Sequence, residues 1–308
     1  MKRWFLSIFG YLIYILIVLV FLLWWRFPAG EVASWCENRL QARYPTLIWK
    51  IDSLRWAFPN RIVIEEIRAT PKSKPDTEMI HVKELELILD PVSLVRKNRR
   101  INYRMHLYEG IGKGRILVNG NNDISCQGQF TGLNLAEAKG LAASLNRTIR
   151  GQAGGTFSWI GSWPGTKTAK ISGMIHIEDG LLPLRKPVLG LKQLTFSRLE
   201  SSVRKEKNVW ILDKGRLEAK TMLVLFKGKI IPGPDLARAK LALTGSLTPR
   251  SELFKSVGNR EMVAVIRGFL RNGALRFMVS GTAAEPSVQF PGGLSRAMRR
   301  FRPQGGRQ

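Results

Sequence analysis

Twenty-two consecutive residues from Trp4 to Trp25, WFLSIFGYLIYILIVLVFLLWW, carry no charged side chain; Lys2 and Arg3 precede them and Arg26 follows. A helix rises 1.5 Å per residue, so the run spans roughly 33 Å and matches a hydrocarbon core of about 30 Å. This predicts a single amino-terminal transmembrane helix, with Trp4, Phe5, Tyr11, Trp24 and Trp25 as its anchor residues. A cleaved signal peptide would need an apolar region of about 7–15 residues and a small-x-small cleavage site. The stretch after Arg26, FPAGEVASW, offers Ala29 and Gly30 but no Ala-x-Ala. Lys2 and Arg3 stand alone on the short side, whereas Arg26, Glu31, Glu37 and Arg39 mix both signs on the other. The positive-inside rule then predicts a cytoplasmic amino terminus and a body outside the inner membrane.

Residues 1–26 hold three of the 49 Lys and Arg and none of the 23 Asp and Glu, so the other 282 residues carry a net charge of +23. That length accommodates one large domain or two modest ones. So positive a balance predicts anionic partners. If the body sits outside the inner membrane of a diderm bacterium, these are acidic lipids or glycolipid head groups, and no nucleic-acid partner is expected. A basic surface that merely keeps the domain soluble explains the charge equally well. Cys36 and Cys126 lie ninety residues apart with no CxxC spacing and make no metal or redox motif; spacing leaves open whether they pair. His81, His106 and His176 fall on predicted strands without HxH or HExxH spacing and read as strand residues.

Residues 31–43 place Val32, Trp35, Cys36 and Leu40 near one helical face, and Pro45 ends that short amphipathic helix. The period then changes to two. Leu47, Trp49 and Ile51 alternate, as do Ile62 and Ile64 and, after a doubled acid, Ile67. Val82, Leu85, Leu87 and Leu89 continue the pattern, and Ile101, Tyr103, Met105 and Leu107 line one face of the next strand. Leu133, Ala138, Leu141, Ala142 and Leu145 recur at helical spacing within 132–148, with Asn146 as the stop; the glycine-rich 151–155 reads as a linker or tight connection. Six further strands follow, then one helix or two within 251–270, broken near Gly258, and a last strand pair that ends at Pro291. The tail holds Arg296, Arg299, Arg300, Arg302 and Arg307 and no acid, a pattern that suits contact with an anionic surface. The fold class expected is mainly β with a few helices, an elongated and curved antiparallel sheet behind one transmembrane helix.

No catalytic constellation emerges, and no enzyme or cofactor is expected. GIGKGR at 110–115 has neither the four-residue gap nor the Ser or Thr of a phosphate-binding loop, and reads as a turn. No GxSxG elbow occurs. Glu65 with Glu66, and Glu178 with Asp179, read as strand-end acids serving turns. Trp159, Trp163 and Trp210 could stack on sugars, which would make the protein a cell-wall or polysaccharide binder, but single aromatics on strands are far more often core.

The order of features resembles known families. The anchor, the short helix, LIWKIDSLRWAFPNRIVIEEIRAT and VKELELILDPVSLVRKNRRINYRMHLYEG resemble the amino-terminal module of AsmA-like envelope proteins. SGMIHIEDGLL, the strands from Gly190 to Ile231, ARAKLALTGSLTPRSELF and the closing GALRFMVSGTAAEP are similar to the type II secretion system protein N family. The resemblance implies a cytoplasmic stub at 1–3, the membrane helix at 4–25, an AsmA-like half at 26–148, a secretion-protein-N-like half at 149–290 and the basic tail at 291–308. It implies a non-enzymatic accessory component of type II secretion that meets other secretion-system envelope components. The alternative is an AsmA-like carrier of lipid or anionic glycolipid. Neither family supplies catalytic positions, and the basic tail departs from both.

A long sheet with one apolar face must cover that face with helices, with its own curvature, with a partner or with lipid. With so few helices, Ile101, Tyr103, Met105 and Leu107, together with Met222, Val224 and Phe226, become candidates for an apolar groove. An ordinary closed sandwich core is the competing expectation.

Overall fold

The computed structural model of the chain describes residues 9–12, 14–15, 18, 26–72, 77–94, 96–120, 123–162, 169–257 and 260–294. Trp4, Phe5, Trp24, Trp25, Trp163 and the arginines of the tail, Arg296, Arg299, Arg300 and Arg302 among them, lie outside the described residues. Tyr11 is the one anchor residue described; it is helical and 71% exposed. No described helix is long and apolar enough to cross a membrane.

Fourteen strands form one sheet in strict sequence order, β1 to β14, each antiparallel to its neighbours. They run β1 Leu47–Ala57, β2 Arg61–Pro71, β3 Ile80–Leu89, β4 Arg99–Leu107, β5 Gly110–Val118, β6 Asp123–Asn134, β7 Arg150–Ser162, β8 Lys170–Val188, β9 Leu191–Glu206, β10 Val209–Glu218, β11 Met222–Ile231, β12 Lys240–Pro249, β13 Leu275–Gly281 and β14 Pro286–Gln289. At about 4.8 Å between strands, the sheet measures about 60 Å across. Among the described residues after 26, α1 Ala29–Arg43 precedes β1, and α2 Pro91–Leu94, α3 Lys139–Leu145, α4 Ser251–Val257 and α5 Arg260–Gly268 interrupt the meander, with a 3₁₀ turn at Pro291–Gly293. Gly258, near which a break is expected, lies outside the described residues, between α4 and α5.

Several local expectations are corrected. The tract 110–115 opens β5 rather than forming a turn; the turn lies just upstream at Tyr108 and Glu109, both at positive φ as a tight two-residue hairpin requires. Residues 151–155 are no linker but the first half of β7, paired to β6 and β8, so one sheet includes residues before 148 and residues after it. Residues 132–134 belong to β6, and the helix is confined to α3, where Asn146 does stop it in the left-handed conformation with its N–H on Ala142 O. The acid pairs sit inside strands. Glu66 (φ 54°) and Asp179 (φ 49°) occupy left-handed kinks, and the phase slip from Ile64 to Ile67 falls at the first of them. Register slips also occur between Val82 and Glu84, between Phe130 and Leu133, and around Lys214. Each such bulge bends and twists its strand, which lets so wide a sheet curl.

Directly opposed residues of antiparallel strands share a face, so the register defines rows that cross the whole sheet. One row reads Trp56, Ile62, Leu87, Tyr103, Gly114, Gly128, Phe157, Gly173, Val203, Leu212, Gly228, Leu243, Val279 and Val288. Every member is apolar or glycine. The next row on the same face begins Leu54, Ile64, Leu85, Met105, Gly112, Phe130, Gly155 and Ile175 before Ser201, whose hydroxyl donates to Asp213 O at 3.3 Å. The other face is polar where it passes through Arg104, Lys113, Gln129 and Thr156.

Among the described residues, the two clusters that bring helices onto the apolar face lie at its two ends. Over β1 and β2, α1 lays Val32, Ala33 and Cys36, with Phe27, on Ile51, Leu54 and Ile64. Trp35 does not join them and is 64% exposed, because the 3.6-residue period aligns 32, 36 and 40 and leaves 35 on the flank. At the carboxyl end a larger cluster gathers Leu253 of α4, Ile266 of α5 and Leu294 against Leu217, Met222, Val224, Leu247, Leu275 and Phe277. The distal part of the β8–β9 hairpin contributes Leu189 and Phe196 to the same cluster, and Arg185 reaches Glu285 of the β13–β14 loop at 3.1 Å. This end of the sheet thus closes on itself.

Candidate functional site

Between the two covered ends, strands β4 to β7 contribute no residue to either cluster. Their apolar face is the candidate site. β4 supplies Ile101, Tyr103, Met105 and Leu107, all four on this face as expected. Opposite them stand Ile116, Gly114 and Gly112 on β5, then Cys126, Gly128 and Phe130 on β6, and Trp159, Phe157 and Gly155 on β7.

Glycine and ring alternate across the strands for a steric reason. A Cβ built on Gly128 would fall 2.9 Å from Phe157 Cε1, and one on Gly112 would fall 2.8 Å from Met105 Cγ. The large side chains therefore lie flat across glycines of the neighbouring strand instead of standing upright. The outcome is a paved floor rather than an interdigitated core. Tyr103 is buried, only 6% exposed, and its hydroxyl lies 3.9 Å from Cys126 Sγ. Burial pushes the Tyr103 hydroxyl and the Cys126 thiol up from their ordinary values. Cys36 and Cys126 are both free thiols; burial against β1 and β2, and then Glu37, push the Cys36 thiol up as well.

The two halves of the expected groove separate here. Phe226 shares the register row of Gly215 and Gly245 on the apolar face, but Met222 and Val224 are 4% and 9% exposed inside the carboxyl-terminal cluster. They pack beneath α4 and α5 and line no open surface. Trp159 lies between Cys126 and Ile171 in the floor rather than standing out as a sugar platform, and Trp210 pairs with Ile230 on the same face. The reading from sequence missed Gly112, Gly114, Gly128, Phe130 and Phe157. Their signal was present: glycine at alternate positions inside a strand marks a close approach by a neighbour.

Charge is concentrated on other surfaces. Glu66 Oε2 lies 2.7 Å from His81 Nε2 and accepts from Arg68 at 3.0 Å, while Arg68 also meets Asp52 at 3.2 Å. A cleft of about 380 Å³ beside them is lined by Glu78, His81, His106, Tyr108, Glu109 and Lys139. No group of His, Cys, Asp and Glu among the described residues is placed to hold a metal ion.

His81 and Arg68 hold the Glu66 carboxyl below its ordinary range. The folded chain therefore binds fewer protons here than the unfolded one. The contribution is fully present above the unfolded glutamate value of about 4.3 and is lost as pH falls through the lower folded value. Glu66→Gln is expected to flatten part of the loss in melting temperature between about pH 5 and about pH 3. Parallel melting curves of the two proteins across that range check it, and identical slopes would refute it.

The β4–β7 floor is an uncharged surface several strands wide, with the Tyr103 hydroxyl and the Cys126 thiol among its polar side-chain groups. Such a surface can hold chains of methylene groups, each worth about 0.8 kcal/mol when buried. In comparisons with protein families, curated proteins and solved structures, nothing matches this chain.

Proposed function

We propose that the protein is a non-enzymatic, membrane-tethered carrier that holds acyl chains of lipid or glycolipid on the β4–β7 floor. In this reading residues 4–25 are the tether, the amino terminus is cytoplasmic, and the sheet stands on the periplasmic side of a bacterial inner membrane. The observation that carries it is the uncharged row that crosses the whole sheet, with a second beside it from β1 to β8, while the helix-bearing clusters of the described residues lie at the two ends. The resemblance of residues 26–148 to the AsmA-like module supports the same reading, and the excess of basic residues suits anionic head groups. Native mass spectrometry of the full chain, extracted in a mild detergent, is expected to find bound acyl lipid. Repeated recovery of lipid-free protein would overturn the proposal.

A second reading, an accessory component of type II secretion, is favoured by the closing elements. There β13 ends at Gly281 in a left-handed conformation and Pro286 opens β14, in the order that the resembled family has. Unchanged secretion in a deletion strain would remove it without touching the first.

A further inference from the structure

We infer that the β1–β2 hairpin tip and the β3–β4 connection form a second membrane contact, a wedge of apolar tips and cations that rests on anionic phospholipid head groups. This rests on the reading of residues 4–25 as the tether. α1 runs antiparallel to β1: Phe27 stacks edge-on against Trp56 with ring centroids 5.6 Å apart, Glu37 accepts the Ile51 N–H at 2.7 Å, and Tyr44 meets Trp49. Phe27, two residues beyond the apolar run, is therefore fixed beside the distal end of β1 at Trp56, two residues from Phe58. Strand residues advance about 3.3 Å each, so Phe58 sits about 7 Å along the chain from Trp56, the residue on which Phe27 packs.

At that end the chain exposes what a soluble surface would hide. Phe58 is 66% exposed and Val92 is 60% exposed. Both tips are braced. Asn60 Nδ2 donates to Leu89 O at 2.7 Å and Leu89 N–H donates to Asn60 O at 2.9 Å, which ties the hairpin to the start of the β3–β4 connection. Ser93, only 5% exposed, donates to Asp90 O at 2.8 Å and accepts the Arg100 N–H at 3.0 Å, which holds α2 with Val92 outward. The same connection carries Arg96 and Lys97, and β4 opens with Arg99 and Arg100; all four are exposed and none is ion-paired among the described residues. The sole acid of residues 90–100, Asp90, is occupied by the Val92 N–H at 3.2 Å. Exposed apolar tips flanked by unpaired cations match an interface of acyl chains beneath anionic head groups. A two-point contact also fixes how the sheet stands on the membrane, which a single helix cannot do.

The test uses the full chain in nanodiscs, with Cys36→Ala and Cys126→Ala as background and an environment-sensitive dye on Phe58→Cys, Val92→Cys or, at the opposite ends of the strands, Glu137→Cys. In discs of equal parts phosphatidylglycerol and phosphatidylcholine, the two tip probes are expected to shift to the blue and to be quenched by brominated lipid. The Glu137 probe is expected to stay water-like. Pure phosphatidylcholine discs, or Gln at Arg96, Lys97, Arg99 and Arg100, are expected to abolish most of the quenching. A chain that incorporates into the discs while its tip probes match the Glu137 probe, or respond equally to both lipids, overturns the inference. A chain that fails to incorporate at all refutes the tether instead.

Discussion

Leu253→Ala is expected to lower the free energy of unfolding by about 3 to 5 kcal/mol. Leu253 in α4 is fully buried, and it packs in the cluster that joins α4 and α5 to strands β10–β13 and to the tip of the β8–β9 hairpin. Removing it loses the transfer free energy of the side chain and leaves a cavity that neighbours anchored on several strands cannot fill. Against a typical stability of about 5 to 15 kcal/mol, that is a large fraction of the whole. Leu253→Met keeps the volume and is expected to cost less than about 1.5 kcal/mol. Chemical denaturation of the three proteins distinguishes the outcomes. If alanine costs no more than methionine, the helix pair is not the packed cap described above.

Phe157→Asp is expected to reduce acyl-chain binding at least about tenfold while the sheet stays folded. Phe157 lies across Gly128 in the centre of the exposed floor and is half-buried, so its replacement touches the floor more than any closed core. A carboxylate there keeps its hydration and repels a chain laid over it. Loss of contact with two methylenes alone, at about 0.8 kcal/mol each, exceeds the 1.4 kcal/mol that corresponds to a factor of ten. Phe157→Leu preserves an apolar floor and is expected to bind nearly as the parent does. Displacement of a fluorescent fatty acid, with circular dichroism as the check on folding, measures both. Equal binding by the aspartate and leucine variants would place the bound chain elsewhere.

Some features were legible because they are local. The alternation of Ile101, Tyr103, Met105 and Leu107 specified a strand and its apolar face, the doubled acid before Ile67 marked a slip of phase, and Asn146 marked a helix end. Each depends on residues within a few positions of one another. The misread segments depend on residues far away in sequence. Glycines 112 and 114 resemble turn residues until β4 supplies Met105 and Tyr103 to lie on them, and 151–155 resembles a linker until Phe130 of β6 lies over Gly155. Met222 and Val224 carry the same alternating pattern as the β4 residues, and only the placement of α4 and α5 makes them core.

By itself the amino-acid sequence determined the apolar amino-terminal run, the strand-dominated body and the division of each strand into an apolar and a polar face. Periodicity and hydrophobicity are properties of neighbouring residues. Which part of that face is covered was decided by the tertiary structure alone. Register sets each ring against its glycine, the bulges bend the sheet, and the folded-over hairpin with two short helices closes one end and leaves β4–β7 outside both clusters of the described residues. Coverage depends on where elements distant in sequence come to rest, and no local pattern encodes that.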